Sequence, residues 1–242
     1  KSSIFNQLTG LRQKVANFPG VTVEKKTGRL HLPGGADTML VDFPGAYSLH
    51  PTSQDQRVVL DVLSKPSDEN FPDAVVYVAD VTNLEKHLLL LTQIKDLGLP
   101  CVLALNMSDL AEKEGLSIDE RALAGFLGMP VVSVSGRTGS NFEQLKKAMA
   151  DLLHDRKNGQ NHAPFYPFSP VEKQVVAQIQ EKTGVKNPYR ALLWAHQHDR
   201  LHFLTKDEKR LIGGICQSEG FHDIRQQIAE TMRRYEIFTP VL

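Results

Sequence analysis

The chain has 242 residues, 41% of them hydrophobic, with 28 Lys+Arg balanced by 28 Asp+Glu. That supply buries a sizeable core in one large domain, or in one domain with a smaller appendage, and the zero net charge argues against a protein that coats nucleic acid through a basic surface. Two cysteines, Cys101 and Cys216, are too few for a disulfide framework and fit a reducing compartment, and no apolar run approaches the ~18 residues that span a bilayer.

In chain order, Lys1 precedes a short apolar helix over Ser2–Leu8. Thr22 follows in a loop, within FPGVTVE. Four short apolar runs rich in valine then read as strands: Thr38–Val41, Ala74–Val81, Cys101–Leu105 and Val131–Val134. Between them the apolar spacing turns helical, with Leu84, Leu88 and Leu91 in one stretch, Leu123 and Leu127 in a second, and Phe142, Leu145 and Met149 in a third. Each of those helices is expected to begin at a Ser/Thr-x-x-Glu capping box: Thr82/Glu85, Ser117/Glu120 and Ser140/Glu143. Alternation of this kind predicts a mostly parallel sheet with helices on both faces. The composition changes after Leu153. Residues 154–169 carry two prolines, Pro164 and Pro167, with little periodicity and read as a linker, and Ser169-Pro170-Val171-Glu172 opens a segment, 170–242, that is helical to its end. Its expected core stripes are Val175, Val176 and Ile179; Leu211, Ile212 and Ile215; and Ile224, Ile228, Met232 and Tyr235.

Ligands of open parallel sheets bind at the carboxyl ends of the strands. The residues at those ends are Asp42-Phe-Pro-Gly45, Asn106-Met107-Ser-Asp109 and Ser135-Gly136-Arg137. Together with Lys1-Ser2-Ser3 and Thr22 they form, in order, the motif series of a GTP-binding domain. Lys-Ser fits the last two positions of G-x-x-x-x-G-K-[ST], where the lysine reaches the β- and γ-phosphates and the hydroxyl binds Mg²⁺. The strand and glycine-rich loop that belong before Lys1 are therefore expected to be missing from a domain covering 1–153. Thr22 would complete the Mg²⁺ shell, Asp42 would hold a Mg²⁺-bound water, and the Gly45 amide would meet the γ-phosphate. Asp109 would accept hydrogen bonds from guanine N1–H and N2–H₂, which adenine does not offer; Asn106 would tie its loop to the phosphate loop, and the Ser135 and Gly136 amides would reach O6. Lys1, Thr22 and Gly45 are the expected catalytic set. Each motif is weak alone, and the joint order carries the assignment.

The stretches QKVANFPGVTVEKKTG (Gln13–Gly28), LVDFPGAYSL (Leu40–Leu49), DVTNLEKHL (Asp80–Leu88) and LALNMSDLAEKEG (Leu103–Gly115) resemble the cytosolic region of the ferrous iron transport protein B family. Met107 after the base-reading asparagine and the proline of Asp-Phe-Pro-Gly are marks of that family. QIAETMRRYEIF, near the end, is similar to its helical domain. The resemblance implies a Ras-like P-loop GTPase domain followed by a small all-helical domain. It further implies GTP/GDP binding with slow hydrolysis, Mg²⁺ as cofactor with K⁺ in some members, and coupling to Fe²⁺ uptake through a membrane-spanning part of the same protein. Self-association is a further expectation, nucleic acid is not a partner, and the location implied is the cytoplasmic face of a bacterial cell membrane.

Other GTPases place a water-orienting glutamine where Ala46 stands, so slow turnover is expected. Tyr47 and Ser48 are candidate substitutes, with packing of the turn as their simpler role. His196 and His198, two apart on a helix, point away from each other and make a poor metal pair. Asp80 reads as structural beside a capping Thr82, and Trp194 as helical core. Two alternatives are weighed against the transporter reading. A GTPase of ribosome or RNA maturation normally adds a basic module, yet residues 171–242 hold 11 Lys+Arg against 9 Asp+Glu. An interaction switch would use nucleotide to reshape Phe18–Lys26 and Phe43–Pro51.

Overall fold

A computed structural model describes residues 1–10, 13–35, 37–155 and 164–241. Among the described residues six strands form two three-stranded sheets. In the first, β1 (Gln13–Asn17), β2 (Glu24–His31) and β3 (Asp37–Asp42) run antiparallel; in the second, β4 (Val75–Asp80), β5 (Cys101–Asn106) and β6 (Val131–Ser133) run parallel. The four valine-rich runs are β3 to β6. Strands β1 and β2 were not legible: QKVAN is exposed throughout and EKKTGRLH buries only Gly28 and Leu30, so neither shows an apolar alternation.

The parallel half explains its own sequence. β5 is buried on both faces, hence its unbroken apolar run. Cys101, Leu103 and Leu105 point into one core with Leu84, Leu88 and Leu91 of α3 (Leu84–Asp96). Val102 and Ala104 point into a second core with Ile4 and Leu8 of α1 (Ser2–Thr9) and Leu145 and Met149 of α6 (Phe142–Asp155). Burial pushes the Cys101 thiol up to about 12, so it behaves as a small apolar side chain.

The helix starts differ from expectation by a residue or two. Asp80, not Thr82, accepts the Thr82 amide (2.9 Å) and hydroxyl (2.8 Å), closing a short 3₁₀ turn before α3. Asp119, not Ser117, accepts from the Arg121 and Ala122 amides to start α5 (Glu120–Leu127). Before α6, Ser140 bonds Thr138 instead, while the Leu145 amide donates to the Asn141 carbonyl. At α5 a carboxylate two positions nearer the helix offers the orphan N–H groups a better-placed acceptor than the Ser117 hydroxyl. The capping box at Ser169/Glu172 is formed, and an unforeseen second one stands at Thr205/Glu208.

Downstream of the expected linker, of which residues 156–163 lie outside the described ones, four helices follow: α7 (Pro170–Thr183), α8 (Pro188–Gln197), α9 (Lys206–Ser218) and α10 (Asp223–Phe238). Val175, Val176, Ile179, Ile212 and Ile215 are buried as expected. The stripe on α10 is reversed. Ile224, Ile228 and Met232 are 73%, 56% and 60% exposed, whereas Glu230, Arg234 and Phe238 are fully buried. The charged face turns inward because partners wait there. Arg234 Nη2 lies 2.7 Å from Asp96 Oδ2 of α3, Arg234 Nε 2.8 Å from Glu230 Oε1, and the Tyr189 hydroxyl donates to Glu230 at 2.6 Å. Among the described residues no helix is long and apolar enough to cross a membrane.

Candidate functional site

The ends of β3, β5 and β6 and the start of α1 bring the motif residues together. Lys1 Nζ lies 3.0 Å from Asp42 Oδ1, at the last residue of β3, and also donates to the Phe43 carbonyl. The Asp42 side chain is 14% exposed against 42% for Lys1, so the carboxylate is sheltered while the ammonium stays reachable. Ser2 and Ser3 are exposed in the first turn of α1, whose eight residues end on Gly10 in the left-handed region.

A second cluster joins β5 to β6. Asn106 Oδ1 accepts the Gly136 amide at 3.0 Å. Gly136 is buried so close to α1 that a Cβ there would sit 3.1 Å from Ser3 Cβ and 3.3 Å from Ile4 Cγ1. The two loops therefore press directly on the Lys-Ser-Ser turn. Met107 takes a left-handed φ of 70° in order to start α4 (Ser108–Glu114), a conformation that costs a non-glycine residue about 1–3 kcal/mol. That turn presents Asp109. Its Oδ1 accepts the Ser135 hydroxyl at 2.6 Å, and its Oδ2 accepts Arg137 Nε at 2.8 Å and Nη2 at 2.6 Å. The bonds from Ser135 and then Arg137 hold the carboxyl below the usual range, so it is an ionised acceptor at neutral pH.

The remaining expected residues lie apart. Thr22 is exposed in the turn closed by the Phe18 amide on the Val23 carbonyl, and among the described residues it makes no hydrogen bond to the Lys1–Asp42 pair. Gly45 is exposed beyond Pro44 with open space around it. Tyr47 is exposed and lies 5.5 Å, centroid to centroid, from the His87 ring; Ser48 Oγ accepts the His50 amide. His196 is buried with Nδ1 2.9 Å from Asp223, and His198 Nδ1 turns to the Ala195 carbonyl, so the two share nothing. Among the described residues no group of three or more His, Cys, Asp or Glu side chains could hold a metal ion. Trp194 is half-buried and donates to the Ser64 carbonyl at 3.3 Å. Motif reasoning missed the buried set Gln93, Asp96, Glu230 and Arg234, and its contact with His50. Apart from the i, i+4 spacing of Glu230 and Arg234, these side chains come from distant parts of the chain and follow no spacing rule.

Known proteins are similar to this chain in sequence and architecture. Residues 1–149 match the family model described as ferrous iron transport protein B. The Fe(2+) transporter FeoB of Leptospira biflexa is 35% identical over 185 residues, 76% of this chain and 26% of that protein. The chain thus spans about a quarter of that relative's length. The solved cytosolic domain of L. pneumophila FeoB superposes with a TM-score of 0.79 at 30% identity, covering 98% of this chain and 93% of that one. An S. thermophilus NFeoB mutant bound to mGDP gives 0.76 at 28% identity, covering 100% and 93%.

Proposed function

The chain belongs to the ferrous iron transport protein B family, and from that premise we propose that it binds GTP and GDP at the β3–β5–β6 strand ends and hydrolyses GTP slowly, in the service of Fe²⁺ uptake. One observation carries the proposal: a lysine on a helix start, an aspartate at a strand end and an ionised base-reading carboxylate converge through the Asn106–Gly136 bond. Residues 1–153 would form the nucleotide-binding domain, 154–169 a linker and 170–242 a helical domain. The membrane-spanning remainder of the same polypeptide would be its partner at the cytoplasmic face of the cell membrane.

Each residue has a physical task. Lys1 trades its bond to Asp42 for the β- and γ-phosphates, and the positive end of α1 faces the anion. Ser2 and Asp42 are hard oxygen donors that fit Mg²⁺, which neutralises phosphate charge when bound. Thr22 and the Gly45 amide close on the γ-phosphate; both are exposed in turns and free to do so. Asp109, steadied by Ser135, grips guanine N1–H and N2–H₂ once Arg137 swings out. Ala46 carries no group that orients water, so turnover is on the order of 10⁻³ s⁻¹ or below. The test is calorimetry on the polypeptide at its natural length with GTP, GDP and ATP. Guanine nucleotides should bind and ATP should not; a preference for ATP, or no binding of any nucleotide, overturns the proposal.

A further inference from the structure

The segment that leaves β3 at Asp42 carries Gly45 outward and returns to the interior at Leu49 and His50, before Ser53 caps α2 (Gln54–Ser64). Its return is fixed at two consecutive residues. The Leu49 amide donates to Gln93 Oε1 of α3 at 2.8 Å, and the Leu49 side chain is fully buried. His50 Nε2 lies 3.2 Å from Glu230 Oε2 of α10, as donor, since an ionised carboxylate only accepts. Burial alone would raise Glu230; Arg234 and His50 nevertheless hold it well below the usual carboxylate range. Gln93 also reaches Glu230, at 3.5 Å, so both anchors meet on one buried side chain.

Resting on the nucleotide reading above, we infer that His50 is a positioning residue that latches the Gly45 loop to α10, so that closure of Gly45 on a γ-phosphate is felt at Glu230. His50 stands five positions after Gly45, too few for the loop to absorb a displacement at one end without moving the other. The latch is also releasable. His50 Nδ1 is buried without a hydrogen-bond partner among the described residues, so this ring is held by a single bond. Glu230 keeps Arg234 and Tyr189 when His50 leaves, and stays in place. The other groups around the ring are His196, whose ring meets it edge-on at 5.2 Å, Asp223 bonded to His196, and Asp96 beyond Arg234. The His50 ring thus has one hydrogen bond to lose while Glu230 stays fixed and Leu49 stays anchored to Gln93, and making or breaking that bond couples the loop to α10.

The single tryptophan reports on it. Trp194 of α8 is bonded to the Ser64 carbonyl at the end of α2, the helix that follows the latch. In the intact protein, with any tryptophan outside these 242 residues replaced by phenylalanine, exchange of GDP for a non-hydrolysable GTP analogue should shift Trp194 emission. His50→Ala should abolish that shift and change the ratio of GTP to GDP affinity by about fivefold or more, with both nucleotides still bound. Glu230→Gln should act alike, and the double variant should do no more than either alone. His50→Gln, which keeps an N–H donor, should restore the shift. An intact Trp194 shift in His50→Ala, or additive effects in the double variant, overturns the latch while leaving nucleotide binding standing. Guanine-nucleotide binding without a Trp194 shift in the wild type overturns the latch alone, and no guanine-nucleotide binding overturns both. Should Glu230→Gln fail to fold, the His50→Ala and His50→Gln pair decides.

Discussion

In the proposed site Arg137 occupies the acceptor that guanine would need, and its removal gives a result whose sign follows from the geometry. Both of its bonds, 2.8 and 2.6 Å, fall on Asp109 Oδ2, which guanine would have to claim. The Arg137 side chain is 67% exposed, so its ion pair is screened and is worth less than a factor of about five in an equilibrium. Breaking it is a small toll on binding. Arg137→Ala should therefore raise guanine-nucleotide affinity, by up to about fivefold, and the gain should vanish near 1 M salt, where screening acts within ~3 Å. Asp109→Asn is the opposite case. It replaces an ionised acceptor with an amide that can turn donors toward donors, and should cost about a hundredfold or more in GTP affinity and most of the preference over ATP. Calorimetry at low and high salt on the wild type and both variants measures each effect. Weakened binding in Arg137→Ala would show that its guanidinium holds the nucleotide instead of competing with it. An unchanged GTP-over-ATP ratio in Asp109→Asn would refute the base-reading role.

Arg234→Met should destabilise the fold by about 3–5 kcal/mol in urea titration, because it leaves Asp96 and Glu230 buried without their cation. Glu230 has a lowered folded pKa, so its contribution is present above the ordinary value of 4.5 and fades as pH falls through the lower folded one; the gap between variant and wild type should narrow in acid. Gly136→Ala should cost about 1–3 kcal/mol of stability, since the new methyl presses on Ser3 and Ile4, and should weaken nucleotide binding in parallel. Asp109 likewise sits below its ordinary 3.8, so the preference for guanine should stay flat from pH 8 down to that value and be lost only beneath it.

What the sequence disclosed follows from what kind of constraint each part obeys. β5 reads from its residues because burial on both faces demands an apolar run, and the end of that run marks where polar Asn106 and Asp109 stand, Asn106 accepting the Gly136 amide. β1 and β2 do not, because β1 is exposed throughout and β2 buries only Gly28 and Leu30, so backbone pairing rather than a side-chain pattern marks them as strands. α10 misleads for a sharper reason. Helical spacing of Ile224, Ile228 and Met232 predicts a buried stripe only if apolar contact is the best offer the core can make. Here the facing surface already contained Asp96 of α3 and Tyr189 of α8, both of which demand a charged or hydrogen-bonding partner. A buried carboxylate left without a partner is costly, and the inward face of α10 is taken by Arg234, which pairs with Asp96, and by Glu230, which pairs with Arg234. The same competition placed the His50 contact. A chain that has to satisfy Asp96 turns Glu230 inward, and once inward it becomes an acceptor within reach of the loop that leaves Gly45.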